Sequence, residues 1–326
     1  MDGANWTAVT EYVLLGFQEH PNLEAVLFGF CLGIYCLTIL GNSLLIALIT
    51  LDPHLHNPMY FFLSNLSLVD ICGTSSFVPF MLANFLKNQR TISFPGCALQ
   101  MYLTLALGAT ECLLLALMAY DRYVAICQPL RYTELMRRQT CLWMAGLSWV
   151  TGFANSLLQS ILVWRLPLCG HNVINHFFCE ILAVLKLACG DVSLNVVTLT
   201  VGTAALSLTP LLLIFLSYIF ILAAIFRMPS AIGRHKAFST CSAHLTVVVV
   251  FYGTISFMYF KTKAKDPNVD KIITLFYGAV TPSLNPVIYS LRNTEVKAAV
   301  TALLGGGLLS RKMSQFGCCS PSYQPA

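Results

Sequence analysis

Long apolar stretches, separated by short polar segments, follow one another along almost the whole chain. Each stretch is about as long as the roughly 20 residues that an α-helix needs to cross the hydrocarbon core of a bilayer. The stretches lie at roughly 25–50, 58–86, 98–127, 140–163, 195–226, 236–260 and 271–291. This pattern predicts an all-α membrane protein built as a seven-transmembrane helix bundle.

The charges between the stretches predict the orientation of the bundle. Lys and Arg are divided almost evenly between the two sides, but the segment up to Glu24 contains four acidic residues and no basic one. Because cytoplasmic segments favour Lys and Arg, we expect the N-terminus outside and the C-terminus inside. The expected parts are an extracellular tail at 1–24, a seven-span domain at 25–291 and a cytoplasmic tail at 292–326. Within that last tail, Glu295 to Leu304 is expected to form a short amphipathic helix along the membrane.

The composition narrows the class of protein further. Charged residues make up only 10% of the 326 residues, whereas a soluble domain has about 25%. The formal net charge of +5 contains no concentrated basic block, so the lipid bilayer rather than nucleic acid is the expected partner. No Ser-His-acid arrangement is apparent, and Gly305-Gly306-Gly307 is not followed by the Lys-Ser/Thr of a phosphate-binding loop. We therefore expect no enzyme activity.

Charged residues inside the apolar stretches need a partner or a function, because burying a charge in lipid is costly. Asp121 and Arg122 stand near the end of the third stretch, so Asp121 can hold Arg122 in one state and release it in another. Asp70 and Glu111 lie within the second and third stretches. Two carboxylates that face each other need a cation or a shared proton, because like charges repel. An ion-coupled transporter or channel is the alternative that these acids leave open, although it would predict a repeat symmetry that the chain lacks.

Two short signals concern covalent modification. The sequence at Asn5 (NWT) is an N-glycosylation acceptor in the tail expected outside, whereas the second match, at Asn65, falls within a span. Cys318 and Cys319 in the expected cytoplasmic tail are candidates for palmitoylation, with free thiols as the alternative.

Longer motifs occur in order from the first span to the last. They are Gly41-Asn42, LHNPMY at Leu55–Tyr60, MAYDRYVAIC at Met118–Cys127, Ser217-Tyr218, KAFSTC at Lys236–Cys241 with His244, and PSLNPVIYSLRN at Pro282–Asn293. With these motifs the chain resembles the odorant receptors of the tetrapod-type class, which are rhodopsin-like (class A) G-protein-coupled receptors. Its departures are small: Ser242-Ala243-His244 follows KAFSTC, where the family often has Ser-Ser-His.

The resemblance implies a receptor that binds small, mainly apolar volatile ligands. Such a receptor activates a stimulatory heterotrimeric G protein and thereby raises cyclic AMP. The resemblance also implies a multi-pass protein of the plasma membrane, in the cilia of olfactory sensory neurons. Whether the receptor forms homo-oligomers or hetero-oligomers is left open.

The family pattern assigns roles at the inner end of the bundle. The residues expected to form the activation switch are Asp121, Arg122, Tyr123, Tyr218, Asn285, Pro286 and Tyr289. Those expected to contact the G protein are Arg122, Arg227, Arg234 and Lys236. His244 is grouped with the last three, for which lipid headgroups are the alternative partners. For Tyr218 and Tyr289 the alternative is a place in the aromatic belt of the membrane interface.

The resemblance also places the two acids of the spans in one inward-facing polar pocket. Its expected members are Asn42, Asp70, Glu111, Ser283 and Asn285. We hypothesise that this pocket holds a sodium ion or a proton and favours the inactive state. The alternative is a hydrogen-bonded structural cluster, and no other cofactor is expected.

No motif marks the odorant pocket, which the resemblance places in the outer halves of spans three, five, six and seven. The candidate lining residues are Met101, Thr104, Leu105, Gly108, Ala109, Leu199, Gly202, Leu206, Tyr252, Ile255, Tyr259 and Leu275. Most are apolar, which suits a small hydrophobic ligand. Thr104 stands where amine receptors place an acid, so a charged amine is disfavoured. For each residue, ordinary helix packing is the alternative.

Four cysteines lie in segments expected outside, where the environment favours disulfides. They are Cys97, Cys169, Cys179 and Cys189, and their spacing leaves three pairings open. The family pattern gives Cys97–Cys179 and Cys169–Cys189. The run from His176 to Glu180 also has residue types that bind copper or zinc. A disulfide at Cys179 would remove its thiolate, so a structural loop histidine is preferred and no metal site is expected.

Overall fold

The computed structural model describes residues 10–18, 21–87, 90–167, 172–260, 267–292 and 294–304. The long helices of these residues are α1 (Pro21–Leu51), α2 (Pro58–Phe85), α3 (Phe94–Cys127), α5 (Arg138–Trp164), α7 (Ser193–Arg227) and α8 (Ala231–Phe260). Next come α9 (Pro267–Leu275) and α10 (Thr281–Arg292), joined by a π-helical turn at Phe276–Val280. The short helices are α4 (Tyr132–Leu135), α6 (Ile181–Leu185) and α11 (Thr294–Leu304). Single 3₁₀ turns lie at Pro53–Leu55 and Pro129–Arg131.

Seven helices within the described residues are long and apolar enough to cross a membrane. We call them spans one to seven; span seven combines α9, the π-helical turn and α10. The predicted seven-helix bundle is therefore confirmed. Every span except span two begins a few residues earlier than the apolar pattern indicates; two examples are α1 at Pro21 and α8 at Ala231. Their first turns are polar but still helical, and an apolar pattern cannot detect such turns.

Span three is the central helix of the bundle and packs against α2, α5, α7 and α8. In a bilayer, helices associate through close packing and interhelical hydrogen bonds rather than through the hydrophobic effect. Span four shows both. A Cβ added at Gly152 would lie 2.4 Å from Thr110 Oγ1, so α5 and α3 approach very closely there. One turn further, Ser156 Oγ donates to the carbonyl of Tyr102 at 2.6 Å.

Span one packs closely against Pro286 of span seven. Pro286 has no backbone N–H, so it leaves the carbonyl of Pro282 without its helical donor. Asn42 Nδ2 donates to that carbonyl at 3.2 Å. The neighbouring glycine permits this approach, because a Cβ at Gly41 would lie 2.9 Å from Pro286 Cγ. The Gly41-Asn42 motif thus supplies a hydrogen bond to the carbonyl that the proline of span seven leaves free, as burial in the membrane requires.

A small three-stranded sheet covers part of the outer end, defined as the end that carries the Cys97–Cys179 disulfide. Strand β1 (Glu11–Leu14) lies between β2 (Thr91–Ser93) and β3 (Val173–Ile174). It pairs antiparallel with β2 and parallel with β3. The sequence did not predict these strands, because two to four residues are too few for an alternating pattern to be visible.

At the inner end, α11 follows span seven as predicted and packs on the bundle. Its buried residues Val296 and Ala299 are three positions apart and so share one helix face. Glu295 accepts a 2.6 Å hydrogen bond from the hydroxyl of Tyr60. Tyr60 belongs to the LHNPMY motif, in which the side chain of Asn57 caps span two by accepting from the Tyr60 N–H. The modification candidates Asn5, Cys318 and Cys319 lie outside the described residues.

Gly152→Ala should destabilise the receptor, because its new methyl group would overlap Thr110 Oγ1 and the carbonyl of Ala106. Overpacking of this kind costs about 1–3 kcal/mol. Thermal unfolding of the purified protein in detergent measures the loss. Gly146→Ala is the matched control on the same helix, since a Cβ there meets nothing within 4 Å. Equal stability of the two variants would contradict the packing that we describe.

Candidate functional site

The outer end is fixed by the predicted disulfide between Cys97 and Cys179, whose Cα atoms are 5.3 Å apart. The side chain of Gln100 extends this connection. Its Oε1 accepts from the Cys179 N–H at 2.7 Å, and its Nε2 donates to the carbonyl of Ser76 at 3.1 Å. Spans two and three and the long outer loop therefore form one unit. Cys189 is also disulfide-bonded, while its expected partner Cys169 lies outside the described residues.

His176 is buried in this loop among aromatic rings. Its ring centre lies 4.4 Å from that of Phe177 and 4.7 Å from that of Phe178. Burial, together with the positive charges of Lys271 and Lys186, lowers the pKa of His176 to about 3. The neutral ring accepts the Phe178 N–H through Nδ1 at 3.4 Å. Since Cys179 is in a disulfide, the neighbouring thiolate is not available to a metal ion.

The N-terminal segment is attached to the bundle through two basic residues, Lys271 and Arg90, that the sequence did not single out. Lys271 of span seven donates from Nζ to the carbonyl of Gly16 at 2.5 Å and lies 5.7 Å from the ring centre of Phe17. Arg90 of the first outer loop forms a two-pronged ion pair with Glu24 at the start of span one. We call residues 10–18 the outer lid, because the Lys271 contact and a 2.8 Å hydrogen bond from the Leu14 N–H to the Arg90 carbonyl hold them over the bundle.

The predicted polar pocket lies in the middle of the bundle. Asn285 Nδ2 donates to Asp70 Oδ2 at 2.9 Å, and the Glu111 carboxyl lies within electrostatic range of Asp70. The Nδ2 atom of Asn42 is already bonded to the Pro282 carbonyl. The Ser283 hydroxyl donates to the Val280 carbonyl of the same span at 2.6 Å. Asp70, Asn285 and Glu111 therefore form the nucleus of the pocket.

Several polar atoms around this nucleus are buried without a hydrogen-bond partner. In the part of the chain that the structure describes, these atoms include Asn42 Oδ1, Asp70 Oδ1, Glu111 Oε1, Tyr252 Oη, Thr281 Oγ1 and Tyr289 Oη. Tyr252 interacts with Cys112 and with Glu111. Buried polar groups are nearly always satisfied, so this arrangement has the chemistry to hold water or a hard cation.

The inner end contains the predicted charged pair. Asp121 is fully buried, and its Oδ2 accepts from Arg122 Nη2 at 2.5 Å and from Nε at 3.1 Å. Its other oxygen accepts from the hydroxyl of Tyr132 in α4 at 2.8 Å. Sequence reasoning missed Tyr132, since its role depends on how the second inner loop folds back. Asp121 thereby ties span three to that loop.

His244 links three spans at once. Its Nε2 lies 3.1 Å from the carbonyl of Leu115 in span three, and its Nδ1 lies 2.8 Å from the hydroxyl of Tyr218 in span five. A carbonyl only accepts, so Nε2 carries the proton and Nδ1 accepts from Tyr218. The grouping of His244 with surface bases is thus corrected: the side chain is fully buried and fastens span six to spans three and five.

The other predicted switch and contact residues occupy different surroundings. Tyr289 is buried, and Tyr123 packs against Phe220 with ring centres 6.0 Å apart. Arg227 is exposed, whereas Arg234 is half-buried and donates to the carbonyl of Met228 at 3.3 Å. The side chain of Lys236 lies outside the described residues.

Leu130 in the second inner loop was not predicted as a functional residue. It is 96% exposed and follows span three closely, beyond Asp121 and Arg122. A single exposed apolar side chain is common on protein surfaces, so its exposure alone assigns it no role. The signal in the sequence was only one apolar residue in a polar segment, which is too common to be informative.

The structure divides the predicted ligand-lining residues among three packed clusters. Met101, Leu105 and Leu199 pack beneath the outer loops, and Tyr252 and Ile255 belong to the main core. Gly108 faces the hydroxyl of Tyr277, which lies 3.8 Å from where its Cβ would be. The hydroxyl of Thr104 donates to the Gln100 carbonyl of its own helix, and Ala109 and Leu206 are half-buried. The side chain of Tyr259 lies outside the described residues.

Two predicted lining residues face elsewhere. A Cβ at Gly202 would lie 2.7 Å from Asn155 Oδ1, so this glycine serves the packing of span five on span four. Leu275 packs with Phe17, Phe77 and Phe177 beneath the outer lid. Helix numbering gives depth in the membrane, but rotation about the helix axis decides which neighbour a residue meets.

Small cavities are present at the outer end. One, of about 10 Å³, includes Cys97, Met101 and Trp164 in its lining. A second of the same size lies between the outer lid and span two. Drug-sized ligand pockets have volumes of about 300–1,000 Å³. Binding an odorant in either place therefore requires the side chains or the outer lid to move.

These features define a class of protein. Seven spanning helices, an outer end fixed by a disulfide, a central polar cluster and an inner arginine paired with a buried aspartate form a rhodopsin-like seven-helix receptor. The sequence matches the family model described as "Olfactory receptor" over residues 30–306. The chain belongs to the olfactory receptor family and is an odorant-sensing, multi-pass membrane receptor rather than an enzyme.

Individual human proteins are similar to the chain over nearly its full length. It is 54% identical over 314 residues to human olfactory receptor 13D1, covering 96% of this chain and 91% of that protein. It is 52% identical over 318 residues to human olfactory receptor 13C2, covering 95% and 100%. The identity to human olfactory receptor 2S2 is 55% over 312 residues, covering 93% and 98%.

Acidification should destabilise the outer loop through His176. Its pKa is lowered to about 3 in the folded state, whereas the unfolded chain protonates near pH 6.5. The unfolded state therefore binds more protons below about pH 6.5, and stability falls as the pH falls through that window towards about 3. Between about pH 7 and pH 5 the loss should be about 2 kcal/mol.

Thermal unfolding across this pH range checks the expectation. In His176→Gln the loss should largely disappear, because glutamine does not titrate and still offers an acceptor to the Phe178 N–H. His54→Gln, at an exposed position of the inner loop, should keep the wild-type slope. A slope unchanged in His176→Gln would show that the histidine is not the titrating group.

Proposed function

We propose that the receptor binds small, mainly apolar odorants and activates a stimulatory heterotrimeric G protein, so that cyclic AMP rises. The ligand class is supported by the apolar side chains in the outer halves of spans three, five, six and seven, including Met101, Leu199 and Ile255. Such ligands have few atoms, each contributing at most roughly 1.5 kcal/mol of binding free energy, so affinities are modest. The site of action is the plasma membrane, in cilia of olfactory sensory neurons.

The transmission step is a shift between two arrangements of span six. A ligand that fits better when span six has moved favours that arrangement. The observation that carries this proposal is the contact of His244 with Leu115 and Tyr218. Both bonds are made by the His244 side chain of span six to atoms of other spans, so outward movement of the helix breaks them.

Arg122 is the group that this movement would release. It interacts electrostatically with His244 and is held by the buried Asp121. An outward movement of span six opens space beside Arg122, where a G protein can bind. Leu130 and Arg227 provide an exposed apolar contact and an exposed charge at the same end.

Arg122→Ala should abolish odorant-induced cyclic AMP while the receptor still reaches the cell surface. The reason is that the released guanidinium is the proposed contact with the G protein. Cells that export the receptor are exposed to an odorant panel, and cyclic AMP and surface labelling are measured together. Arg165→Ala is the matched control, since this exposed arginine lies at the outer end. Normal signalling by Arg122→Ala would refute its role.

The same cells separate the receptor from an ion-coupled transporter. Cyclic AMP without electrogenic current supports the receptor. A current without cyclic AMP would favour a transporter that uses Asp70 and Glu111.

The polar pocket supports a second, regulatory part of the proposal. We infer that Asp70, Glu111 and Asn285 hold a sodium ion or a shared proton and favour the inactive arrangement. The unpartnered oxygens of Asp70, Glu111 and Asn42 fit such an occupant, because oxygen atoms are the ligands that hard cations prefer. The occupant would supply positive charge between the two acids.

Removing sodium should raise basal cyclic AMP, and Asp70→Asn should make basal activity insensitive to sodium. Coupling between two sites is typically worth fivefold or more, so the expected rise is about fivefold. Basal activity is compared in sodium buffer and in buffer with an organic cation, at two pH values. Asp191→Asn, at an exposed outer position, should respond as the wild type does. Insensitivity of the wild type to sodium and pH, together with normal basal activity of Asp70→Asn, would rule out this occupant.

A further inference from the structure

A small cavity lies where the outer lid meets the end of span two. Its volume is about 10 Å³, close to the space that one water-sized group occupies. Its lining comes from the lid, span two and the two outer loops: Leu14, Gly16, Met81, Asn84, Phe85, Arg90 and Phe177. None of the residues predicted to line the odorant pocket is among them.

The polar groups of this cavity lack partners. Asn84 is only 4% exposed, yet among the described residues neither its Nδ2 nor its Oδ1 makes a hydrogen bond. Arg90 Nε is also unpartnered, although the Nη atoms of Arg90 are paired with Glu24. Leaving buried donors and acceptors without a hydrogen bond costs free energy, so the cavity is suited to a polar occupant.

The donors and acceptors define the chemistry of that occupant. Arg90 Nε and Asn84 Nδ2 donate, and Asn84 Oδ1 accepts. A hydroxyl group answers both, because its oxygen accepts while its proton is donated. The carboxylate of Glu24 beside the cavity disfavours an acid, and the guanidinium of Arg90 disfavours an amine cation. An ether accepts but cannot donate, so it satisfies only part of the site.

The surroundings suit a short hydrocarbon chain. Met81 and Phe177 belong to an apolar cluster that continues through Phe17 and Phe77 to Leu275. A chain attached to the hydroxyl would lie among these side chains once the lid has moved. The lid ends in a turn at Gly16, which has a positive φ of 54°. That turn is held by the hydrogen bond from Lys271.

We propose that this cavity is a binding site for the hydroxyl group of a small aliphatic alcohol, held by Asn84 and Arg90 and covered by the outer lid. The inference rests on the proposed function, since it makes an odorant alcohol the ligand. It adds a polar subsite at the edge of the bundle, outside the predicted pocket. Alcohols would enter this subsite from the outer side of the membrane, because the cavity lies directly beneath the lid.

The test uses the purified full chain and compares ligands of similar size that donate and accept a hydrogen bond, only accept one, or do neither. Straight-chain alcohols of five to ten carbons are each paired with the isomeric methyl ether and with an alkane of similar length. The thermal-unfolding midpoint is followed as each ligand is titrated, since a ligand that binds the folded state raises it. At least one alcohol should bind the wild type about tenfold more tightly than its ether.

Three variants locate the effect. Asn84→Leu should remove the preference for the alcohol, and so should Arg90→Lys, which keeps a positive charge for Glu24 but lacks the Nε–H group. Asn22→Leu makes the same chemical change at an exposed position near the outer end and should keep the preference. If Asn84→Leu fails to fold, Arg90→Lys alone decides.

Two results would overturn the proposal. One is a wild type that binds no alcohol more tightly than its ether. The other is a preference that survives in both Asn84→Leu and Arg90→Lys, which would mean that the cavity holds water only. Cyclic AMP measured with the same alcohols keeps the two proposals apart. If alcohols bind more tightly than their ethers but raise no cyclic AMP, the proposed function is contradicted and the subsite stands. If cyclic AMP rises but no alcohol binds more tightly than its ether, the subsite is contradicted and the proposed function stands.

Discussion

The hydrocarbon core of a bilayer offers no water to a backbone group, so a polar group freed inside it must find its partner within the bundle. This constraint explains the contacts on which the structure depends. Asn42 donates to the carbonyl freed by Pro286, while the Ser156 hydroxyl and the His244 ring N–H find acceptors in the carbonyls of Tyr102 and Leu115. Each bond joins two different spans. The polar residues of this apolar chain therefore determine how its helices are arranged.

The two ends of the bundle are held in different ways, and the difference suits a relay. The outer end has a disulfide, a sheet that joins three distant segments, and the buried contact of Lys271 with the lid. At the inner end span six is held by the two hydrogen bonds of His244. Interhelical hydrogen bonds in membranes contribute about 0.6 kcal/mol on average. Breaking these two bonds therefore costs much less than breaking the disulfide at the outer end.

The success of sequence reasoning depended on whether a residue's role is local. The Asp121–Arg122 pair was predictable because its members are adjacent in the chain, and the kind of pocket around Asp70 followed from an acid within an apolar helix. His244 was assigned to the surface because its partners, Leu115 and Tyr218, lie on other spans. Tyr132 was missed for the same reason. Gly202 was expected to face the odorant pocket but faces Asn155 of span four. A small rotation about the helix axis decides which neighbour such a residue meets.

The sequence by itself determined the seven spans, the family and the residues that carry its motifs, because apolar length and adjacent residues are properties of the linear chain. Only the tertiary structure decided that the segment at 10–18 becomes a lid, that Lys271 reaches Gly16 and that Asn84 and Arg90 meet at one cavity. Those contacts join residues far apart in the chain. Their partners are set by how the helices pack and rotate against one another, which a linear pattern does not contain.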